Sequence, residues 1–184
     1  YRWKILRERP GFRKPWVWLL FNLFFICIYQ HALIWMITLP ILGSLSADSL
    51  LLYWADYLLA FLFCVFLVLE TIADQQQFNF QTEKHRRIQQ GEPLGEYASG
   101  FVSSGLWAYV RHPNYSAEQA IWIIVYLFNI AANGTVFNWS MTGAVLLILL
   151  FKGSSDFSEA ISASKYPLYA SYQQRLPRFI PFLK

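Results

Sequence analysis

Two stretches of 33 residues, Pro15–Ala47 and Gln119–Phe151, contain no Asp, Glu, Lys or Arg. About 20 apolar residues are enough for a helix to cross the hydrocarbon core of a bilayer, so each stretch exceeds the length of one crossing. Only 14% of the whole chain is charged, whereas soluble globular domains contain about 25% charged residues. The sequence therefore predicts an all-α integral membrane protein that folds as a helical bundle.

The basic residues are sorted along the chain. All 15 Lys and Arg residues fall within residues 2–14, 84–111 and 152–184, and the stretches between these blocks contain none. Cytoplasmic loops of membrane proteins carry such an excess of Lys and Arg. About four transmembrane helices would place all three basic blocks and both termini on one side of the membrane, cytosolic or matrix.

The predicted spans follow from the apolar stretches and the turn residues beside them. They lie at about 16–39, 50–70, 113–132 and 136–151. Pro40 and Gly43 are expected to end the first span, and Asn133-Gly134 to form the turn between the last two. The predicted organisation is a basic interfacial segment, 1–15, and a single membrane domain, 16–184, with an interfacial tail, 152–184.

Several function classes are disfavoured by composition. The net charge of +4 comes from basic residues whose positions fit a membrane topology, so no nucleic-acid partner is predicted. The three His residues have no ligand spacing and both Cys residues lie in apolar runs, so no metal site is predicted. The expected partners are the lipid bilayer, a lipidic substrate and other membrane subunits. The expected location is the endoplasmic reticulum or mitochondrial inner membrane of a eukaryote, or the plasma membrane of a bacterium.

Polar residues cluster where the second predicted helix leaves the bilayer. Glu70, Asp74, Gln77 and Gln81 recur at helical spacing and so share one face. Ionisable residues near a membrane span are costly and are candidate functional residues. Taken alone, the pattern favours the simpler interpretation of a solvated helix end just beyond the hydrocarbon.

A second polar cluster occupies residues 105–118, at the start of the third predicted span. Arg111 has the planar geometry that binds a phosphate or carboxylate, and Asn114 can orient an amide or hydroxyl. Glu118 lies one helical turn beyond Asn114 on the same face. The alternative is an interfacial loop in which Arg111 contacts lipid phosphates.

Three separated motifs together resemble one family. Along the chain they are Glu-Thr-Ile-Ala-Asp-Gln at 70–75, Gly-Leu-Trp-Ala-Tyr-Val-Arg-His-Pro-Asn-Tyr-Ser-Ala-Glu at 105–118, and a closing segment that runs from Glu159 through Lys165-Tyr166 to Arg-Leu-Pro-Arg-Phe-Ile-Pro at 175–181. In that order they resemble the steroid 5α-reductase-like membrane proteins. These are neighbours of the isoprenylcysteine and phospholipid methyltransferases, which share an Arg-His-Pro-x-Tyr core.

The resemblance implies a polar cavity that opens to the cytosolic or matrix side. In the reductase branch the cavity would hold NADPH for reduction of a lipid or steroid C=C bond, and in the methyltransferase branch it would hold S-adenosylmethionine. The catalytic residues that it implies are Tyr109 and Glu118. The implied cofactor-binding residues are Glu70, Asp74, Arg111, His112, Asn114, Tyr115, Tyr169 and Arg175.

This chain departs from the family pattern at three positions of the central motif, one of which is Ser116, where the family usually has an aromatic residue. Ala108 stands where the family usually has Arg, so a possible phosphate contact is missing. Ala117 stands where the family usually has Gly, and its side chain would narrow a pocket. These departures favour a further hypothesis, in which the protein is a catalytically silent accessory subunit of a membrane complex and binds no cofactor.

Overall fold

The computed structural model describes residues 2–45 and 51–183, with the side chain of Arg2 left aside, and these ranges contain no strand. The all-α prediction is therefore confirmed. The helices are α1 (Arg2–Glu8), α2 (Pro15–Phe21), α3 (Gln30–Ser44), α4 (Trp54–Gln90), α5 (Pro113–Asn133), α6 (Met141–Lys165) and α7 (Tyr169–Arg175). A π-helical segment, Asn22–Tyr29, joins α2 to α3, so that one helix continues from Pro15 to Ser44.

Two helices in the described ranges are long and apolar enough to cross a membrane. They are Pro15–Ser44 and Trp54–Gln90, and their most apolar stretches are only 6% and 0% buried within the chain. Apolar faces of this length require lipid or another protein to cover them. The structure thus supports a membrane protein, while the number of four spans stays a prediction.

Pro40 and Gly43 do not end the first long helix, contrary to the sequence prediction. Pro40 lacks an N–H group and removes one hydrogen bond from the helix. Its own carbonyl oxygen is nevertheless well satisfied, because it accepts hydrogen bonds from Asn129 Nδ2 (2.8 Å) and Ser44 Oγ (3.0 Å). Asn129 lies on α5 and is 3% exposed. The carbonyl that loses its helical partner at Pro40 is that of Met36, four residues earlier; the helix nevertheless continues to Ser44, and Asn129 attaches this part of it to α5.

The remaining helix bounds differ from the predicted spans mainly at their ends. α4 runs 20 residues beyond the predicted end at 70 and stops at Gly91, which has φ of 67°. α5 ends at Gly134, where the predicted turn lies. α6 starts at Met141 rather than 136, because the Asn138 side chain accepts the Ser140 N–H in a turn. Residues 50 and 184, which the predicted spans and tail include, lie outside the described residues.

The centre of the bundle is α5, which packs against α3, α4 and α6. One cluster of buried side chains in the core consists of Leu33 and Ile37 of α3 with Leu147 of α6. Around it pack half-buried aromatic and aliphatic side chains, which are Tyr29, Trp122, Leu146, Leu150 and Phe151.

Residues 100–107 of the loop between α4 and α5 are fixed to α4 by three hydrogen bonds. Lys84 is buried and its Nζ donates to the Gly100 carbonyl (2.9 Å). Leu106 N donates to Gln76 Oε1 (3.0 Å), and the Trp107 indole N–H donates to the Ala73 carbonyl (3.1 Å). These bonds hold the central motif against the polar end of α4.

Helices α3 and α6 approach so closely at Gly143 that no side chain fits between them. A Cβ at Gly143 would overlap the Met36 carbonyl group and lie 2.6 Å from Ile37 N. Both groups belong to the α3 backbone, which cannot move aside as a flexible side chain can. A Cβ at Gly153, ten residues further along α6, would meet no atom within 4 Å.

We therefore expect Gly143→Ala to destabilise the protein by about 1–3 kcal/mol, the usual cost of overpacking. Gly153→Ala is the matched control and should be neutral or stabilising, because Ala is the better helix former. Melting temperatures of both variants in the same detergent test this. Equal melting temperatures for the two variants would contradict the close contact at Gly143.

Candidate functional site

The C-terminal tail folds back onto the central motif. Arg111 N donates to the Pro177 carbonyl (3.0 Å), and His112 N donates to the Arg178 carbonyl (3.1 Å). Ser116 Oγ donates to the Phe179 carbonyl (2.7 Å). Residues 177–179 are therefore docked onto the central motif, within the tail that the sequence predicts to lie along the membrane interface.

Glu159 of α6 is the charged centre of this arrangement. Its side chain is 4% exposed and accepts hydrogen bonds from Arg111 Nε (2.7 Å), His112 Nε2 (2.9 Å) and Gln173 Nε2 (2.9 Å). Arg178 Nη2 lies 3.6 Å from the same carboxylate. Burial by itself would raise the pKa of Glu159, but the hydrogen bonds from His112, Gln173 and Arg111 outweigh it and lower the pKa to about 2. Glu159 is therefore ionised at neutral pH.

Arg111 is engaged almost entirely within the protein. Its Nε and Nη2 donate to Glu159, and its Nη1 donates to the Gln173 and Leu176 carbonyls at 2.8 Å each. Four of the five guanidinium N–H groups are thus used. Arg111 binds the tail in this structure, whereas the sequence hypothesis assigned it to a phosphate or carboxylate of a ligand.

A polar cavity of about 150 Å³ lies beside this ion cluster. Five of the ten predicted site residues line it: Arg111, His112, Asn114, Tyr115 and Tyr169. The rest of its wall comes from α4, α6, the loop before α5 and the tail: Gln77, Phe101, Val102, Trp107, Ser158, Ser162 and Tyr172.

Two side-chain oxygens of residues that line this polar cavity have no hydrogen-bond partner. They are Gln77 Oε1 and Asn114 Oδ1, and both atoms are buried. The orientation of the Asn114 amide is fixed, because its Nδ2 donates to Asp74 Oδ1 (2.9 Å). Buried polar atoms without a partner are costly and rare. The pair is suited to a ligand that presents N–H or O–H groups.

Two buried tyrosines close the polar cavity on the tail side. Burial, together with the negative charge of Glu159, raises the pKa of Tyr169 to about 12. Burial also raises the pKa of Tyr172, whose hydroxyl donates to the Trp107 carbonyl (2.6 Å). Both phenols are neutral at physiological pH, so they are hydrogen-bond donors and not bases.

Some predicted site residues lie outside the polar cavity. Tyr109 is 66% exposed and is not part of its wall. Arg175 lines a separate groove of about 330 Å³, which shares Phe101 and Tyr172 with the polar cavity. Glu70 and Glu118 also lie outside its wall, where each interacts electrostatically with Asp74.

The sequence analysis missed several lining residues. Gln77 was recognised as part of the polar face of α4, and its helical spacing from Asp74 was the signal that could have selected it. Ser158 and Ser162 share one face of α6 at a spacing of four residues. Phe101 lies in a loop and gives no signal in the sequence.

A second, larger cavity lies between the N-terminal helices and α6. Its volume is about 590 Å³ and its wall is mostly aromatic and aliphatic, with residues from α1, α2, α3 and α6. Phe151 and Ser154 belong to this wall, and both contact Tyr115 of the polar cavity. The Tyr115 and Phe151 ring centroids are 4.6 Å apart, and Tyr115 Oη lies 3.4 Å from Ser154 Oγ. One layer of side chains therefore separates the polar and apolar cavities.

Comparison with known proteins identifies the family. Residues 1–176 match DUF1295, a family described as proteins of unknown function. The chain is a member of the DUF1295 family. An uncharacterized protein of Schizosaccharomyces pombe is 34% identical over 191 aligned residues, which cover 100% of this chain and 55% of the relative. The chain thus spans about half the length of the curated relative that it matches. No solved structure matches this DUF1295 protein.

We expect Glu159→Gln to lower the free energy of unfolding by about 3–5 kcal/mol, because it leaves Arg111 buried without its counter-charge. Asp156→Asn, one turn earlier on α6, is the matched control. Asp156 pairs with Lys152 and Arg178 on the exposed surface, where an ion pair contributes at most about 1 kcal/mol. Thermal melts of both variants check this, and a Glu159→Gln variant as stable as Asp156→Asn would refute it.

The stability that Glu159 contributes should also depend on pH. Its pKa is lowered from 4.5 to about 2 in the folded protein, so the unfolded form binds the proton more tightly. The contribution is complete above about pH 4.5 and is lost as the pH falls through about 2. Melting temperatures of the wild type and Glu159→Gln should therefore converge over this range. A constant difference between them would show that the carboxylate charge is not responsible.

Proposed function

We propose that this DUF1295 protein is a membrane-embedded reductase that uses NADPH to saturate a C=C bond of a lipid. The observation that carries the proposal is the shared wall between the two cavities, where Tyr115 contacts Phe151 and Ser154. A polar cavity suits a water-soluble cofactor, and an apolar cavity suits a hydrophobic substrate. Because only one layer of side chains separates the cavities, the cofactor and the lipid could react there while the cofactor stays in a polar environment and the lipid in an apolar one.

The residues of the polar cavity fit the reactive end of such a cofactor. A cavity of about 150 Å³ holds one aromatic ring the size of benzene. The partnerless oxygens of Gln77 and Asn114 would accept hydrogen bonds from a carboxamide N–H₂ group. The groove that contains Arg175 shares two wall residues with the polar cavity and would hold the phosphates. When bound, NADPH supplies a hydride.

Saturation of the double bond also requires a proton at the second carbon. We assign this proton to the phenol of Tyr115, because it lies at the wall between the cavities. Tyr109, the candidate from the sequence, is exposed and does not line the polar cavity. After transfer, the Tyr115 phenolate would regain its proton from water in the polar cavity, so that hydride and proton both end on the lipid.

A second candidate function is a catalytically silent subunit of a membrane complex. The observation that favours it is the engagement of Arg111, whose guanidinium donates mainly to Glu159 and to tail carbonyls. An arginine used in this way stabilises the fold and has few N–H groups left to bind a ligand phosphate. The uncovered apolar face of α4 would then be a contact surface for another subunit.

We further propose the four-span topology with both ends on the basic side. Supporting it are the sorting of all 15 Lys and Arg residues into three blocks along the sequence and the hairpin of α5 and α6, whose turn at Gly134 is far in sequence from any Lys or Arg. Single cysteines at Lys14, Thr135 and Lys165 in a variant without Cys27 and Cys64 test it. Thr135→Cys should react from one face of a sealed vesicle and the other two from the opposite face. Labelling of all three from one face would exclude the topology.

The first test of the reductase is the melting temperature of the purified protein with NADPH, NADH or S-adenosylmethionine. A ligand at about 100 times its dissociation constant adds about 2.7 kcal/mol to stability. A shift with NADPH alone is expected. A shift with S-adenosylmethionine alone would favour a methyltransferase, and no shift with any ligand would favour the silent subunit.

Asn114→Ala should cut the NADPH-induced stabilisation by about half. Loss of one hydrogen bond weakens binding by about tenfold, and stabilisation depends on the logarithm of ligand concentration over the dissociation constant. Asn79→Ala is the matched control, because Asn79 is exposed on α4 and pairs with Gln75 away from the cavity. Gln77→Ala should behave like Asn114→Ala. Equal shifts in all three variants would refute the assigned cofactor site.

A further inference from the structure

We infer that the apolar cavity binds the acyl chain of a lipid whose anionic head group is held by Arg9 of the N-terminal basic segment. The inference names the substrate class of the proposed reductase and rests on that proposal only for the reaction, not for binding. The ligand chemistry is a single hydrocarbon chain that ends in a phosphate or carboxylate.

The cavity has the size and lining that an acyl chain needs. Its volume of about 590 Å³ lies within the range of about 300–1,000 Å³ that is typical of small-molecule sites. Aromatic side chains of α1 and α2, including Trp3 and Phe21, face aliphatic side chains of α6, including Leu146 and Leu150. Such a lining excludes a charged head group from the interior, so the head group must remain at the rim.

Arg9 lies at this rim. Its guanidinium carbon is 5.3 Å from the ring centroid of Phe157, a residue of the cavity wall. Stacking of this kind fixes the guanidinium plane while its N–H groups stay available for a phosphate or carboxylate. Arg9 therefore places a positive charge of the N-terminal segment next to the apolar cavity.

The basic charge of this segment is not neutralised within the described part of the chain. Residues 2–14 contain six Lys and Arg but one acidic residue, Glu8. No ion pair between the described side chains of this segment and a carboxylate occurs. Arg7 stacks on Trp18, and Arg13 donates to the Glu8 carbonyl oxygen. An anionic ligand would supply the missing counter-charge.

The closest alternative is a neutral lipid held by the apolar wall alone. Such a ligand would fill the same volume but would leave Arg9 and its neighbours without an anion. Head-group charge therefore distinguishes the two, provided that the hydrocarbon chain is kept constant.

The test is equilibrium binding of radiolabelled oleoyl lysophosphatidic acid and monooleoylglycerol to the protein in nanodiscs of neutral phosphatidylcholine. The two probes carry the same chain and differ in the phosphate. We expect the anionic probe to bind more tightly. Arg9→Gln should weaken its binding by about tenfold, the loss of one charge-assisted contact, and should leave the neutral probe unchanged.

Two further variants separate the head-group site from the chain site. Arg13→Gln removes the same charge from the same segment, but Arg13 does not line the cavity. It should change binding of the anionic probe by less than about twofold at physiological salt. Gly153→Leu adds a side chain at the cavity wall, where a Cβ meets no atom within 4 Å, and should weaken both probes. Excess inorganic phosphate should not displace the lipid, because it lacks the chain.

The outcomes distinguish this inference from the proposed reaction. Equal affinity for both probes, or equal effects of Arg9→Gln and Arg13→Gln, would overturn the anionic head-group assignment. NADPH-dependent reduction of a neutral unsaturated lipid would in that case still support the reductase. Preferential binding of the anionic probe without NADPH oxidation on any unsaturated lipid would support the lipid site and refute the reductase.

Discussion

The ionised carboxylate of Glu159 is the interaction on which the site depends. A buried charge is tolerated only when partners surround it, and here the partners come from two distant parts of the chain. Arg111 and His112 precede α5, whereas Gln173 and Arg178 belong to the tail. The electrostatic requirement of one residue of α6 therefore fixes the relative positions of motif and tail. The shape of the polar cavity follows from that fixed relation.

Below this charged layer the bundle relies on backbone contact. At Gly143 the α6 helix touches the α3 backbone, and at Pro40 a helix carbonyl is satisfied by Asn129 of α5. Close backbone approach through small residues and polar bonds between helices are the usual means of association in lipid, where apolar burial gives little driving force. These contacts tie α3 to α5 and α6, and the two latter helices contribute Asn114, Tyr115, Ser158 and Ser162 to the wall of the polar cavity.

The sequence predicted the helical architecture because apolar length and charge-free runs are local properties. It also predicted that Asn114, His112 and Tyr115 belong together, since they share one turn of helix. It assigned Arg111 to a ligand because its partner Glu159 lies 48 residues away, beyond the reach of any periodic pattern. The prediction that Pro40 and Gly43 end the first helix was wrong, and the contact between Pro40 and Asn129 of α5 joins residues 89 positions apart, which no local pattern reveals. Tyr109 belongs to the same motif, but its side chain is exposed. The conformation of the loop, and not the spacing of the residues, determines the direction of this side chain.

The docking of residues 177–179 onto the motif has a consequence for the order of assembly. A chain emerges from the ribosome with its N-terminal part first, so α4 and the central motif are synthesised before Tyr169 and Tyr172 of the cavity wall and before the residues that dock onto the motif. Until Pro177, Arg178 and Phe179 have been synthesised, the N–H groups of Arg111 and His112 lack their carbonyl partners. The hairpin can insert early, but the site is closed last. Any ligand of the polar cavity therefore meets a completed wall only after translation has passed the tail.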